Sequence, residues 1–174
     1  APVVASRYPE AVRCIVLLAG TGLPGYQIIL HQQELINRGM GMPEKEVGRT
    51  KALNTLVFDK MLQSDDPKAL REEITSILQK EVERDTASIP AGMTMDEFIA
   101  IQIDQLLSPW MLTFLTFDPA TALEKVRCPV LALNGEIDLQ VEPKENLKAI
   151  QQALKNGGNE KVRTVEFPGL NHLF

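Results

Sequence analysis

The chain reads Pro129-Val130-Leu131-Ala132-Leu133-Asn134-Gly135-Glu136-Ile137-Asp138 from residue 129 to residue 138. The apolar run predicts a β-strand over residues 129–134, and a proline suits the first position of a strand because no ladder donor is lost there. Gly135 and Asp138 are ordinary turn residues. This stretch therefore predicts an apolar strand that ends in a turn carrying an acid.

Two further strands are predicted, one on each side of this stretch along the chain. Residues 12–18 form a continuous apolar run, which is typical of a strand buried on both faces of a parallel sheet. Residues 161–167 form the third strand, and a helix over residues 143–155 precedes it. The order of strand, helical excursion, strand, helix and strand predicts an α/β fold whose parallel strands are joined by right-handed crossovers.

The long stretch between the first two strands, residues 24–117, has a helical pattern throughout. Pro43 begins the second of its helices, and Asp66 is expected to cap the third. Residues 94–97 form a capping box that begins the fourth helix. The charged residues of the stretch fall mainly off the apolar stripes, which indicates a solvated face.

Composition limits the classes of function that the chain can have. Its 174 residues are 44% hydrophobic and carry a net charge of −5, which predicts one buried core and no nucleic-acid partner. No apolar run reaches the roughly 18 residues of a membrane span. The first residues lack the pattern of a signal peptide and resemble the end of an interior helix. We therefore expect the native N-terminus to precede Ala1, and the sequence predicts no location.

Cysteine and histidine are scarce, which leaves little material for a disulfide framework or a metal site. Cys14 and Cys128 are expected to be two separate reduced thiols, although neighbouring strands would bring them close. His31 and Glu34 lie one helical turn apart and could join His172 as metal ligands, but a helix-surface pair is the simpler interpretation. We expect no metal and no other cofactor.

An acid and a histidine follow the second and third predicted strands. Asp138 and His172 would lie at the carboxyl ends of parallel strands, where such sheets place ligands. An imidazole that acts as a base needs a carboxylate on its other nitrogen to set the tautomer. Glu136 competes with Asp138 for this position, and the spacing alone does not decide between them.

No residue of the chain has the surroundings of a catalytic nucleophile. None of the serines lies in a G-x-S-x-G turn. The serines are Ser6, Ser64, Ser76, Ser88 and Ser108. Cys14 lies in an apolar run, where a thiol is expected to pack as a small hydrophobic group. The acid and the histidine are therefore two parts of a Ser-His-Asp triad without its serine.

A second motif offers a different function. The segment Gly20-Thr21-Gly22-Leu23-Pro24-Gly25 matches the G-x-G-x-x-G pattern of dinucleotide-binding proteins. That interpretation requires an acid at the end of another strand about 20 residues further on, where this sequence is helical. Pro24 also lacks one of the amide donors that a pyrophosphate would need. The dinucleotide interpretation is therefore not favoured.

Bulky apolar residues near the end of the helical stretch are candidates for a substrate pocket. Trp110, Met111 and Phe114 could line an apolar acyl site, since pockets for small molecules are lined mainly by such side chains. Most residues of this type in the stretch are expected to belong to the core instead.

The segments 129–138 and 167–172 resemble the acid and histidine segments of the α/β-hydrolase fold, and residues 1–25 resemble the region after its nucleophile elbow. The resemblance is to a bacterial branch of esterases and serine peptidase-like hydrolases with a helical cap. It implies a catalytic core of residues 1–23 and 118–174, with a cap of residues 24–117. It implies that Asp138, rather than Glu136, is the triad acid and that His172 is the general base.

The same resemblance implies that the chain is a C-terminal fragment. The earlier strands, the elbow serine and the oxyanion-hole amides would precede Ala1, and a final helix would follow Phe174. The parent protein would cleave small-molecule esters or amides, most simply carboxylic esters, through an acyl-enzyme, and this chain alone would be inactive. The alternative is a non-catalytic interaction module. We also expect homo-oligomers through the exposed strand edge at residues 12–18.

Overall fold

The computed structural model describes all residues from Ala1 to Phe174. Eight helices and three strands, with two short 3-10 turns, follow one another along the chain. They are α1 (Pro2–Arg7), β1 (Ile15–Leu18), α2 (Gly25–Gly39), α3 (Glu44–Gln63), α4 (Pro67–Arg84), α5 (Met95–Leu106), α6 (Pro109–Thr116), α7 (Ala120–Leu123), β2 (Val130–Gly135), α8 (Pro143–Asn156) and β3 (Val162–Phe167).

The chain divides into two compact units. One unit comprises Ala1–Lys51 together with Phe117–Phe174 and contains the sheet, and the other comprises Ala52–Thr116 and is helical. The division into a core and a cap of residues 24–117 stays a prediction. The helical unit is smaller than that range, since α2 and the first residues of α3 belong with the sheet.

All three strands run parallel in one sheet, in the order β1-β2-β3. Ile15 pairs with Val130, and Val130 pairs with Val162. The predicted fold class is confirmed, with three parallel strands and a large helical excursion between the first two. Parallel pairing places the carboxyl ends of β2 and β3 side by side, so the residues that follow these strands lie at one edge of the sheet.

One face of the sheet carries the core. Helix α8 turns its apolar side toward the sheet, and α1 and α7 contribute to the same cluster. The buried cluster contains Ala5, Ile15, Leu17, Leu123, Val126, Val130, Ala132, Leu147, Ile150, Ala153 and Leu154. Full burial of one large aliphatic side chain contributes about 1.5–3 kcal/mol, so this cluster is the main source of stability in the unit.

The opposite face of β1 is open, and the expectation of burial on both faces is wrong. Ile15 and Leu17 are buried, whereas Val16 and Leu18 are 51% and 64% exposed. Successive strand residues point to opposite faces, and α1, α7 and α8 pack on only one of them. A continuous apolar run predicts a strand correctly but does not show whether both of its faces are covered.

Helix α8 also anchors the loop that follows β1. The buried Asn146 accepts a hydrogen bond at Oδ1 from the N–H of Gly22 at 2.8 Å and donates through Nδ2 to the carbonyl of Glu142 at 2.9 Å. A Cβ on Gly22 would lie 2.5 Å from the carbonyl oxygen of Asn146, so only glycine fits. Close packing on α8 thus accounts for this glycine without a bound phosphate.

In the helical unit, α4 and α5 pack through buried Leu70, Ile74, Ile99 and Ile103. Both predicted helix starts are confirmed. Asp66 accepts hydrogen bonds from Lys68 N and Ala69 N. The predicted capping box is complete, since Thr94 and Glu97 each accept a hydrogen bond from the other's backbone N–H. Hydrogen bonds from the backbone N–H and the hydroxyl of Thr94 hold the pKa of the Glu97 carboxyl below its usual value.

No single helix has both the length and the apolar composition to cross a membrane. Helices α5 and α6 pass such a test only as a pair, with a bend of 51° between them.

Ion pairs join α2 to the first part of α3. Glu34 contacts Lys51 Nζ at 2.7 Å and Arg38 Nη1 at 2.9 Å, and Arg38 also pairs with Glu44. The hydrogen bond from Lys51 holds the pKa of the Glu34 carboxyl below its usual value against the opposing effect of burial. The hydrogen bond from Arg38 lowers the pKa of Glu44 in the same direction.

This network predicts a small, pH-dependent contribution to stability. Because its folded-state pKa is lowered, Glu34 stabilises the fold fully above the unfolded-state pKa, and the contribution is lost as the pH falls through the folded-state pKa. We expect Glu34→Gln to lower the free energy of unfolding by about 0.3–1 kcal/mol at neutral pH and by nothing in acid. Urea denaturation at both pH values measures this, with Glu10→Gln as the control. A loss that persisted in acid would contradict the assignment.

The unpaired edge of β1 leads to a second prediction. Within the chain β1 pairs only with β2, and edge strands present unpaired backbone groups. We propose that this edge pairs with β1 of another copy. Sedimentation velocity should show a dimer that dissociates on dilution, and Val16→Lys should abolish it. The matched control is Val4→Lys, since Val4 in α1 is 53% exposed against 51% for Val16. A monomer at every concentration, or equal effects of the two substitutions, would refute the pairing.

Candidate functional site

The turn after β2 surrounds a buried carboxylate with hydrogen-bond donors. Asp138 is only 2% exposed. Its Oδ1 accepts from the backbone N–H groups of Gln140 at 2.8 Å and Val141 at 2.9 Å. Its Oδ2 accepts from Asn134 Nδ2 at 3.1 Å and lies 2.9 Å from His172 Nδ1. A buried carboxylate is tolerated only when its lone pairs are satisfied in this way.

The imidazole of His172 faces Asp138 on one side and the surface on the other. Its side chain is 30% exposed, whereas that of Asp138 is fully buried. An ionised carboxylate only accepts hydrogen bonds, so Nδ1 of the neutral ring carries the hydrogen and Nε2 keeps a lone pair. This arrangement can take up a proton at Nε2, and the resulting imidazolium would be stabilised by the adjacent carboxylate.

Glu136 has a different position from Asp138. Its Oε2 accepts a hydrogen bond from the N–H of Gly169 at 2.9 Å, so it holds the loop after β3 rather than the imidazole. Spacing left two acids open, and the structure brings Asp138, the acid that the resemblance implied, to His172. The spacing of the two residues could not show this, because the side chains of a turn do not follow the alternation of a strand.

Backbone hydrogen bonds hold the loop that contains His172 against the end of β2. Glu136 N donates to Phe167 O at 2.9 Å, and Ile137 N donates to Leu170 O at 3.0 Å. A Cβ on Gly135 would overlap the carbonyl oxygens of Leu170 and Asn171. The missing side chain at residue 135 is therefore what allows the two loops to approach and the carboxylate to reach the ring.

A cavity of about 420 Å³ opens beside His172. Aliphatic side chains and two amides line it together with the imidazole, and no charged group takes part. The lining residues are Ile36, Ile137, Leu139, Gln140, Asn171, His172 and Leu173. Its size lies in the range of small-molecule sites, and its lining suits an uncharged, mainly apolar group.

The predicted substrate-binding residues lie in the other compact unit, on α6. Trp110 is 67% exposed and stacks on Phe114 with a centroid distance of 5.3 Å. Trp110 and Met111 line a cavity of about 600 Å³ of that unit, and Phe114 is not among its lining residues. Their role in substrate binding stays a prediction.

None of the serines lines the cavity beside His172. Four of them donate their hydroxyls to nearby backbone carbonyls, namely Ser6, Ser64, Ser88 and Ser108. Cys14 is exposed, which corrects the expectation that it packs in an apolar environment. Cys14 and Cys128 are both free, and Cys128 packs against the core.

The alternative metal ligands are not assembled into a site. Glu34 is engaged by Lys51 and Arg38, and His31 lies on the same helix. No group of three histidine, cysteine, aspartate or glutamate side chains that could hold a metal ion occurs in residues 1–174.

Asn134 and Leu139 are absent from the residues that the sequence predicts for the site. Asn134 is completely buried beside Asp138, and Leu139 lines the cavity. A signal for Asn134 was present, since it is the single polar side chain in an otherwise apolar strand. Leu139 had no comparable signal, because its position depends on the conformation of the turn.

The comparisons with known proteins find a likeness among solved structures. Neither the family models nor the curated proteins compared with this chain match it. Among solved structures, the chain is similar to the proline iminopeptidase of Mycobacterium smegmatis, with 17% identity and a TM-score of 0.43. The likeness covers 98% of this chain and 54% of the other, so the chain spans about half the length of that protein.

The contact between the two loops predicts the effect of substitution at Gly135. We expect Gly135→Ala to lower the free energy of unfolding by about 1–3 kcal/mol, because the added Cβ would overlap two backbone carbonyls. Urea denaturation measures this. The matched control is Gly48→Ala in α3, where a Cβ meets nothing within 4 Å. That change should stabilise by about 0.5–1 kcal/mol through helix propensity. Equal effects of the two substitutions would disprove the close approach.

Proposed function

We propose that this chain supplies the acid and the general base of a serine-hydrolase active site, in which Asp138 orients His172. The single observation that supports the proposal best is the 2.9 Å contact between the buried Asp138 Oδ2 and His172 Nδ1. The two residues follow neighbouring parallel strands in the chain order of the triad, and the outward nitrogen of the ring is left as a base.

In the proposed reaction the nucleophile is a serine hydroxyl that comes from outside residues 1–174. Nε2 of His172 takes the hydroxyl proton as the oxygen attacks the substrate carbonyl. The imidazolium then returns this proton to the departing alkoxide, which leaves an acyl-enzyme. Water is activated in the same way and releases the acid. Gln140 N, Val141 N and Asn134 Nδ2 all donate to the carboxylate of Asp138, and these hydrogen bonds hold it in position beside His172.

The proposed substrates are small carboxylic esters, with amides of similar shape as the nearest alternative. The cavity beside His172 has no charged lining residue, so it suits an uncharged acyl or alcohol group. The acyl-transfer steps require no cofactor, since the proton carrier and its orienting acid are both side chains.

A second candidate is a non-catalytic interaction module that uses the helical unit. The exposed Trp110 beside a cavity of about 600 Å³ favours this role, because exposed tryptophans are enriched in binding surfaces. The two candidates differ in whether a reactive serine accompanies the Asp138–His172 pair.

The deciding experiment uses the complete gene product that contains these residues, labelled with a fluorophosphonate. We expect stoichiometric labelling of a serine outside residues 1–174, and a rate about 10³–10⁴-fold lower in His172→Ala and Asp138→Asn. His31→Ala is the matched control, since His31 is the other histidine of the chain, and it should label at the parent rate.

Residues 1–174 alone should show neither labelling nor a burst with p-nitrophenyl acetate. Stoichiometric labelling of this chain would contradict the proposal that the nucleophilic serine lies outside residues 1–174. A complete gene product that never labels would favour the interaction module instead.

A further inference from the structure

Asn134 is a fully buried amide in a strand whose other side chains are apolar. Its Nδ2 lies 3.1 Å from Asp138 Oδ2 and 3.0 Å from the carbonyl oxygen of Val141. Both partners are acceptors only, so the NH2 group must face them and the orientation of the amide is determined. Asn134 therefore ties the strand end, the acid and the far end of the turn together.

This orientation leaves the oxygen of the Asn134 amide without a hydrogen bond, which is unfavourable. Asn134 Oδ1 is buried and has no hydrogen-bond partner. An unpaired buried carbonyl is unfavourable, and an apolar residue of similar size would avoid it. Packing alone thus does not explain an asparagine at this position, whereas donation to Asp138 does.

The donor is also neutral, which matters for the imidazole. A lysine or arginine at residue 134 would compete with the imidazolium for the charge of Asp138. A neutral NH2 group fixes the position of Oδ2 and leaves the negative charge available to His172, whose Nδ1 contacts the same oxygen atom at 2.9 Å. The two donors to Oδ2 thus have different roles. The amide of Asn134 positions the oxygen, and the ring of His172 interacts with its negative charge.

We propose that Asn134 is a positioning residue that holds Asp138 Oδ2 where it selects the Nδ1–H tautomer of His172. The catalytic meaning of this tautomer rests on the proposed function, but the positioning itself is a property of residues 1–174. It therefore has a readout that requires neither a nucleophile nor a substrate.

The test is ¹⁵N-edited NMR of the imidazoles in the 174-residue chain at a pH where both rings are neutral. With only His31 and His172 present, His31 is an internal reference. In the parent we expect His172 to carry its hydrogen on Nδ1. In Asn134→Leu and in the smaller Asn134→Ala, which both remove the NH2 donor, we expect partial conversion to the Nε2–H form. Exchange of the Nδ1 hydrogen with water should be about tenfold faster, as expected for loss of one hydrogen bond to a charged acceptor.

Asn159 is the matched control. It is also buried, and its Nδ2 donates to the carbonyls of Val126 and Cys128 far along the sheet from the pair. Asn159→Leu should lower the melting temperature and leave the His172 tautomer unchanged. Asn134 variants that fold with the parent tautomer and exchange rate would overturn the proposal. So would an equal change of tautomer in Asn159→Leu.

A second variant protects the test against a failure to fold. Asn134→Ala removes the donor without adding bulk to the buried position, so it remains informative if Asn134→Leu does not fold. Fluorophosphonate labelling of the complete gene product separates the two proposals. Suppose that the His172 tautomer changes in the Asn134 variants, but His172→Ala labels at the parent rate. This result would support the positioning role of Asn134 and overturn the proposed function.

Discussion

Burial of one negative charge shapes the carboxyl edge of this sheet. The side chain of Asp138 is completely inaccessible, and a carboxylate in that position must have each oxygen satisfied by donors. Two donors are backbone N–H groups of its own turn, one is the amide of Asn134, and one is the ring of His172, which lies in a different loop. The need to solvate this charge with protein groups thus determines the conformation of the turn and the place where the histidine loop docks.

Helix α8 stabilises the sheet and the loops that follow β1 and β2. Its apolar side packs on β2 and β3, and Asn146 on the same helix holds the loop after β1 through Gly22. The turn that contains Asp138 runs directly into the start of α8, where Glu142 accepts hydrogen bonds from Lys144 N and Glu145 N. The helix that stabilises the sheet therefore also fixes the ends of two strands, and a change in its packing would reach the site through the backbone.

Several features could be predicted from the sequence because they depend on neighbours along the chain. The apolar runs located the strands, and the caps at Asp66 and Thr94 follow from side chains that bond their own backbone. The order of the elements also determined that the strands are parallel, which places the residues after β2 and β3 at one edge. The exposure of Val16 and of Cys14 could not be read in this way, because it depends on which face the helices cover.

The sequence by itself determined that an acid and a histidine follow adjacent parallel strands, since periodicity and element order are local properties. Spacing left Asp138 and Glu136 open, and the resemblance to a known family implied Asp138. Only the tertiary structure showed the contact of Asp138 with His172, the close approach of the histidine loop at Gly135 and the place of Asn134 beside the buried oxygen. These contacts join atoms of separate loops to within a hydrogen-bond distance. Such distances depend on the turn conformations and on the desolvation of Asp138, and neither is encoded in the spacing of residues along the chain.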